Sequence, residues 1–151
     1  MTVCILDTTV FCNVLWVPWR DQHKETVEED LKRFQAENVA FLLPLPVIFE
    51  TGNHIAHIED GGRRRRWARI FVEQVHGAFE GEAPWTPTPV TPHREIASWL
   101  EGFPDAAMRG LTFADLSIVE IFNKQCALNP AQRVFIWSLD THLSGHDRPG
   151  R

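Results

Sequence analysis

The chain has 151 residues, of which 44% are hydrophobic and 23% are charged. These values are typical of one soluble globular domain with a single core. The formal net charge of -5 argues against a protein that coats nucleic acid through a general positive charge. It does not argue against a metal-binding enzyme, because a metal site itself concentrates acidic residues.

Cysteine usage and apolar runs bear on the cellular compartment. The longest apolar runs, such as residues 39–43, are too short to span a bilayer. The first residues lack the basic region and the cleavage site of a signal peptide and predict a strand instead. Cys4, Cys12 and Cys126 are odd in number and scattered through apolar segments, which predicts buried, reduced thiols. We therefore expect a cytoplasmic protein without a membrane segment.

The first third of the chain alternates apolar runs with amphipathic segments. Residues 3–6 predict a buried strand, and residues 10–16 predict a short helix that Pro18 ends. Residues 22–37 carry apolar side chains at spacings of three and four, which predicts a surface helix with one apolar face. Residues 39–43 predict a second buried strand.

The middle of the chain predicts two helices and a proline-rich segment. Pro46 suits the first turn of a helix that we expect to extend to about Glu59, where an Asp-Gly-Gly sequence breaks it. A further helix follows, with Trp67, Ile70, Phe71, Val75 and Phe79 on one apolar face. Four prolines between residues 81 and 92 leave room for at most a short edge strand around residues 85–90.

The last third predicts one short helix, one long helix and a final strand. We expect the short helix over residues 93–100 and a loop over residues 102–110. Helical spacing of apolar residues begins at Phe113, and the helix that it predicts ends at Asn129. Residues 134–137 predict the final strand.

Strands separated by helices predict a mostly parallel sheet with helices on both faces. Residues 1–151 are therefore expected to form a single α/β domain with three layers, α/β/α, and no internal repeat or linker interrupts it. Ligands bind such sheets beyond the carboxyl ends of the strands. Asp7 and Asp140 directly follow the first and last predicted strands, so both are expected at that edge.

Each of four acidic residues has an ordinary structural explanation. Asp7 and Asp140 can cap the helix or turn that follows them. Asp115 stands three residues after Thr112, which is the spacing of a helix capping box. Glu50 lies early in its helix, where the helix dipole favours a carboxylate. Taken one at a time, these explanations are favoured.

The four acids together favour a metal site. Carboxylates close to one another and to apolar surface need a cation, because like charges at short range raise their pKa values. Oxygen ligands select hard ions, Mg²⁺ or Mn²⁺. Such ions promote phosphoryl chemistry by activating water and by stabilising the charge that develops. The pattern therefore predicts a metal site suited to phosphoryl chemistry.

Four short motifs resemble the ordered acidic motifs of PIN-domain ribonucleases, and most of all those of the VapC-type toxins of toxin–antitoxin pairs. They are Ile-Leu-Asp-Thr-Thr-Val at residues 5–10, Phe-Glu at 49–50, Gly-Leu-Thr-Phe-Ala-Asp at 110–115 and Trp-Ser-Leu-Asp at 137–140. The resemblance covers nearly the whole chain in the family's order. The Leu-Thr-Phe-Ala-Asp stretch is its most specific part.

This resemblance implies a PIN-like fold in which the four acids hold Mg²⁺ or Mn²⁺ and RNA is cleaved to a 5′-phosphate and a 3′-hydroxyl. Thr9 and Ser138 occupy positions where the family has hydroxyl residues near the metal, although the family usually has threonine at the position of Ser138. The resemblance also implies an antitoxin partner that covers the site, and a homodimer. Asn13 is expected either near the site or on the exposed face of the first helix.

Several other features keep two interpretations. The basic run Arg63, Arg64, Arg65 and Arg66 predicts either RNA contact or a solvated helix start. His54 and His57 can share a helix face with Glu50, although surface or interface positions are favoured. Trp16 and Trp19 are expected to pack in the core or in an interface rather than to stack on bases.

Two other function classes compete with a nuclease. A phosphatase similar to haloacid dehalogenases would use Asp7 as its nucleophile and needs a second acid two residues later, where this chain has Thr9. That class is therefore disfavoured. The remaining alternative is a catalytically silent PIN-like module that binds RNA or protein without cutting.

Overall fold

The computed structural model describes residues 1–151. Its five strands are β1 (Thr2–Leu6), β2 (Ala40–Leu43), β3 (Trp85–Pro87), β4 (Arg133–Trp137) and β5 (Asp147–Arg148). Its six helices are α1 (Thr8–Val14), α2 (Lys24–Ala36), α3 (Leu45–Ala56), α4 (Gly61–Glu80), α5 (His93–Met108) and α6 (Phe113–Leu128). None of these helices combines the length and the apolar composition that a membrane span requires.

The five strands form one mostly parallel sheet in the order β3-β2-β1-β4-β5. The central strand β1 pairs in parallel with β2 and with β4, and β2 pairs in parallel with β3. Four consecutive residues are buried in each of β1 and β4, so both faces of the central strands are covered. The predicted α/β class is confirmed, and the arrangement is consistent with a three-layer α/β/α fold.

An aromatic cluster holds α2 against one face of the sheet. Phe34 of α2 packs against Phe41, Phe135 and Trp137, with ring centroids 5.0 to 6.5 Å apart. Because apolar residues face this cluster at helical spacing, the segment forms the one-sided helix that its sequence predicts. Trp85 of the short edge strand β3 is also buried, so the expectation of a short edge strand is confirmed.

The expected loop at residues 102–110 is wrong, because α5 continues through Pro104 to Met108. Proline removes one helical hydrogen bond and usually ends a helix. Here the second half of α5 is held by packing instead. Ala106 is fully buried, and the ring of Phe103 packs edge-on against Phe113 of α6 at 5.3 Å. Tertiary contacts therefore outweigh the local signal of the proline.

Two smaller features also differ from expectation. The helix α3 ends at Ala56, slightly before the expected limit, and Asp60 serves as the N-cap of α4 by accepting a hydrogen bond from Arg63 N at 2.7 Å. The strand β5 was not expected, because it has two residues and no apolar run. It pairs antiparallel with β4 and is held by the ion pair of Asp147 with Arg133 at 2.8 Å.

The three cysteines are free thiols, as expected. Cys4 and Cys12 are buried, and Cys126 is half-buried. Burial raises the pKa of Cys4, and it raises the pKa of Cys12 to about 11. Both buried thiols therefore stay protonated and unreactive at neutral pH.

Candidate functional site

Asp7 occupies the point where β1 ends and α1 begins. Its side chain is only 2% exposed and serves as the N-cap of α1. The carboxylate oxygen Oδ2 accepts three hydrogen bonds, from Thr9 N at 3.4 Å, from Thr9 Oγ1 at 2.8 Å and from Ser138 Oγ at 2.6 Å. Burial raises the pKa of Asp7, and the hydrogen bonds only oppose that rise.

Ser138 and Thr9 link the ends of β1 and β4. Leu6 and Trp137 are paired in register, so the residues that follow them meet at the same edge of the sheet. Besides donating to Asp7, Ser138 Oγ accepts a hydrogen bond from Asp140 N at 2.9 Å. Thr9 Oγ1 similarly accepts from Leu139 N at 3.0 Å. These two hydroxyls therefore hold the residues that follow β4 next to Asp7, at the edge of the sheet where the sequence predicts Asp7 and Asp140.

Asp140 begins the turn that follows β4. Its Oδ1 accepts a hydrogen bond from His142 N at 2.8 Å, which is the capping role expected for an acid at this position. The side chain stays half-exposed and lines the same cavity as Asp7. Its capping role and its place at the site therefore coexist.

Glu50 reaches the site from α3, which packs against α1. Its Oε2 accepts a hydrogen bond from Thr8 Oγ1 at 2.7 Å. Burial raises the pKa of Glu50, the Thr8 hydrogen bond lowers it, and the negative charges of Asp115 and Asp7 raise it further. The neighbouring Phe49 is 64% exposed.

Asp115 forms a complete capping box with Thr112 at the start of α6. Asp115 N donates to Thr112 Oγ1 at 3.1 Å, and Thr112 N donates to Asp115 Oδ2 at 3.3 Å. The structural explanation of this acid is therefore confirmed. The half-exposed carboxylate still faces the site closely enough for its charge to raise the pKa of Glu50.

One open cavity of about 430 Å³ is lined by all four acids. They come from four separate parts of the chain, at Asp7, Glu50, Asp115 and Asp140. None of the five ion pairs in the protein involves any of these four carboxylates. The cavity therefore concentrates negative charge that no lysine or arginine neutralises by direct contact.

The donor chemistry of this cavity fits a hard cation, because its acidic ligands are all oxygen atoms. At the same time, no three His, Cys, Asp or Glu side chains lie close enough together to hold a metal ion in their present positions. Ligation by several of the acids therefore requires their side chains to move towards the ion. No protein-family model, curated protein or solved structure matches this chain.

Asn13 is buried beside the cavity, which decides between its two expected positions. Its side chain is 4% exposed and lines the cavity, so it does not lie on the exposed face of α1. Nδ2 donates to Thr9 O at 2.7 Å, and Oδ1 accepts from His23 N at 2.9 Å. Asn13 therefore ties the loop that precedes α2 to the first turn of α1.

The basic run at the start of α4 is not brought to the acids. Arg63, Arg64, Arg65 and Arg66 are exposed, and none of them lines the acidic cavity. The guanidinium groups of Arg63 and Arg66 lie over the ring of Trp67, at 5.8 and 5.3 Å from its centroid. RNA contact by this run stays a prediction.

Other residues at the cavity were missed or misplaced by the sequence. Trp16 and Trp19 were expected in the core or in an interface. They are 49% and 78% exposed, so the core position is wrong and the interface position stays a prediction. Trp19 lines the acidic cavity beside Arg20. His54 also lines this cavity, whereas the ring of His57 is hydrogen-bonded to Asn53 O at 2.6 Å. Large aromatic residues are usually buried, so composition gave no signal for the exposure of Trp19.

Proposed function

We propose that this protein is a metal-dependent endoribonuclease with a PIN-like fold, and that it is the toxin of a type II toxin–antitoxin pair. The observation that carries the proposal is the meeting of four carboxylates in one cavity with no basic ion-pair partner. Residues as far apart in the chain as Asp7 and Asp140 reach it. The resemblance of the surrounding motifs to those of PIN-domain ribonucleases supports the choice of RNA.

In this proposal the roles of the residues come from the resemblance and from the cavity that the four acids share. Asp7, Glu50, Asp115 and Asp140 would hold Mg²⁺ or Mn²⁺. When bound, this ion would activate water and stabilise the charge that develops on the phosphate, leaving a 5′-phosphate and a 3′-hydroxyl. The hydroxyls of Thr9 and Ser138 fix Oδ2 of Asp7, so that this carboxylate is oriented before any ligand arrives.

One observation favours a second candidate, a silent module that binds RNA or protein. No three acidic or histidine side chains stand within joint ligating distance, and Asp7, Asp115 and Asp140 all make capping bonds. Those bonds give three of the four acids a purely structural use. The silent module therefore predicts RNA or protein binding without metal-dependent cleavage.

RNA cleavage by the purified protein separates the two candidates. We expect cleavage of single-stranded RNA with Mg²⁺ or Mn²⁺, loss of cleavage in EDTA, and 5′-phosphate ends on the products. Asp7→Asn keeps the shape of the side chain but removes its charge, so its activity should fall by about 100-fold or more. Asp105→Asn, which changes an exposed acid of α5, is the matched control and should retain activity.

Cleavage that persists in EDTA, or an Asp7→Asn variant with full activity, would overturn the nuclease proposal. RNA binding without cleavage under any of these metal conditions would favour the silent module. The toxin assignment has its own readout. Expression of the wild-type chain in a bacterial host should arrest growth, and expression of Asp7→Asn should not.

A further inference from the structure

The loop between α1 and α2 displays an aromatic side chain at the mouth of the acidic cavity. Trp19 is 78% exposed, although burying a tryptophan normally stabilises a fold. Its φ of 66° lies in the left-handed region, which is unfavourable for a bulky residue that is not glycine. An exposed aromatic ring on a strained backbone beside a candidate site indicates a binding role.

The loop that presents Trp19 is held in place by specific contacts. Val17 is fully buried, and its N donates to Cys12 O at 3.0 Å. The side chain of Gln22 donates to Trp19 O at 2.6 Å, and the bond from His23 N to Asn13 Oδ1 closes the far end of the loop. The ring is therefore displayed by a backbone that is already ordered, so binding does not have to order it.

A free arginine stands next to this ring. Arg20 lines the acidic cavity, and its guanidinium takes part in none of the ion pairs or side-chain hydrogen bonds of the protein. A planar guanidinium without a partner is well suited to bind a phosphate through two parallel hydrogen bonds. It is the only lysine or arginine among the residues that line the acidic cavity.

A second cavity, the outer cavity, has a volume of about 390 Å³ and adjoins the acidic cavity. Trp19, Arg20 and His54 line both cavities, so they form the ridge between them. His57 adds a second imidazole to the outer cavity. Burial lowers the pKa of His54, and the charges of Arg20 and His57 lower it further, as expected for neighbouring basic groups. The acidic cavity thus adjoins a cavity lined by an arginine, a tryptophan and two imidazoles.

We propose that the outer cavity is a nucleotide subsite, in which Trp19 stacks on an unpaired base and Arg20 binds a phosphate next to the bond that is cleaved. This proposal rests on the proposed function, since it places the scissile phosphate at the four acids. An aromatic ring accepts the face of any base, whereas a phosphate needs the cation beside it. A base inside a duplex cannot reach an external ring, so the subsite selects single-stranded RNA.

A nucleotide fits this cavity better than a segment of protein does. The ridge combines one aromatic ring with one unpaired guanidinium, and two imidazoles lie close to them. These side chains match the alternation of base and phosphate along a single strand. The phosphates of the strand repel the four acids, except where a bound cation bridges the two. The RNA strand would therefore cross from the outer cavity, at Arg20, to the acidic cavity.

Binding of a fluorescein-labelled RNA octamer of uridines, followed by fluorescence anisotropy, tests the subsite. Ca²⁺ replaces Mg²⁺ in the assay, so that a hard cation is supplied to the oxygen ligands while binding is measured separately from cleavage in Mg²⁺. We expect Trp19→Ala to weaken binding by about 10-fold, the scale of one lost stacking contact, and Trp19→Phe to retain most of the affinity. Arg20→Ala should also weaken binding, and it should reduce the dependence of affinity on salt.

Trp16→Ala is the matched control for Trp19→Ala. Trp16 is also exposed and also has a left-handed φ, of 57°, but it lines neither of the two cavities. The Trp16→Ala variant should bind the octamer as the wild type does. An octamer of the same length with abasic residues removes the stacking partner, so wild type and Trp19→Ala should bind it equally.

Two results would overturn the subsite. One is equal binding of the uridine octamer by wild type and Trp19→Ala, which would leave Trp19 for a protein partner. The other is the absence of octamer binding by the wild type. A protein that has the subsite but is not a ribonuclease would give a different result. The octamer would bind through Trp19 but stay uncut when Mg²⁺ replaces Ca²⁺.

Discussion

At the scale of single residues, Asp7 shows how a candidate site opposes the stability of its own fold. The side chain is buried, and burial raises its pKa despite three hydrogen bonds to Oδ2. Below the ordinary pKa of 3.8, Asp7 is protonated in both the folded and the unfolded chain. As pH rises past that value, the unfolded chain ionises first, so the folded state loses stability until the raised pKa is passed. At neutral pH the ionised carboxylate therefore destabilises the metal-free fold.

Asp7→Asn is expected to raise the stability of the metal-free protein at pH 7. Asparagine caps a helix about as well as aspartate, and its side-chain oxygen can still accept from Ser138 and Thr9, while the buried charge is removed. Urea denaturation in EDTA should show a higher midpoint for the variant. The difference should shrink at pH 3, where Asp7 is protonated in both states.

Asp105→Asn is the control for this measurement, because its carboxylate is exposed and its removal should leave the midpoint nearly unchanged. A lower midpoint for Asp7→Asn than for wild type at pH 7 in EDTA would contradict the argument. It would mean that the hydrogen bonds to the ionised carboxylate outweigh the effect of burial.

At the scale of elements, the sequence predicted the features that depend on residues close together in the chain. The strands β1 and β4 follow from short apolar runs, and their carboxyl ends place Asp7 and Ser138 together because the two strands are parallel neighbours. The capping box of Thr112 and Asp115 also follows from residue spacing alone. For β1, β4 and this capping box, the local sequence favours the same conformation that the folded structure adopts.

Other elements depend on contacts that the sequence does not display. The continuation of α5 through Pro104 is stabilised by the packing of Phe103 on Phe113 and by the burial of Ala106. The exposure of Trp19 depends on how its loop folds back on α1 through Cys12 and Asn13. Neither set of partners is adjacent in the chain, so neither could be found from local pattern.

Pro104→Ala is expected to stabilise the protein, because Pro104 is exposed and contributes little packing of its own. Alanine would restore a backbone donor towards Leu100 O and would remove the clash that proline makes with the preceding turn. The gain in the free energy of unfolding should be up to about 3 kcal/mol. Thermal and urea unfolding measure this difference directly.

Pro84→Ala is the matched control, because Pro84 is also exposed but lies outside any helix. There the substitution should leave stability unchanged or lower it slightly, since proline restricts the unfolded chain. A decrease in stability for Pro104→Ala would show that the proline itself shapes α5 in a way that alanine cannot replace.

At the scale of the whole molecule, the formal charge of -5 is unevenly arranged. Basic residues form a run on α4, while four acids without ion-pair partners line one cavity. Repulsion among these acids is visible in Glu50, whose pKa is raised by burial and further by Asp115 and Asp7. A bound dication would relieve this repulsion, so folding and metal binding should be coupled.

Mn²⁺ is therefore expected to raise the unfolding midpoint of the wild type. A ligand that binds only the folded state, present at about 100 times its Kd, adds about 2.7 kcal/mol to the free energy of unfolding. Asp115→Ala should remove most of this stabilisation by deleting one carboxylate. Asp105→Asn should keep it, because that exposed acid lies outside the cavity.

Calorimetric titration of Mn²⁺ into the same three proteins reports the affinity directly. Equal stabilisation of wild type and Asp115→Ala would place the ion elsewhere, and no stabilisation of the wild type would favour a silent module, in which these acids serve as helix and turn caps.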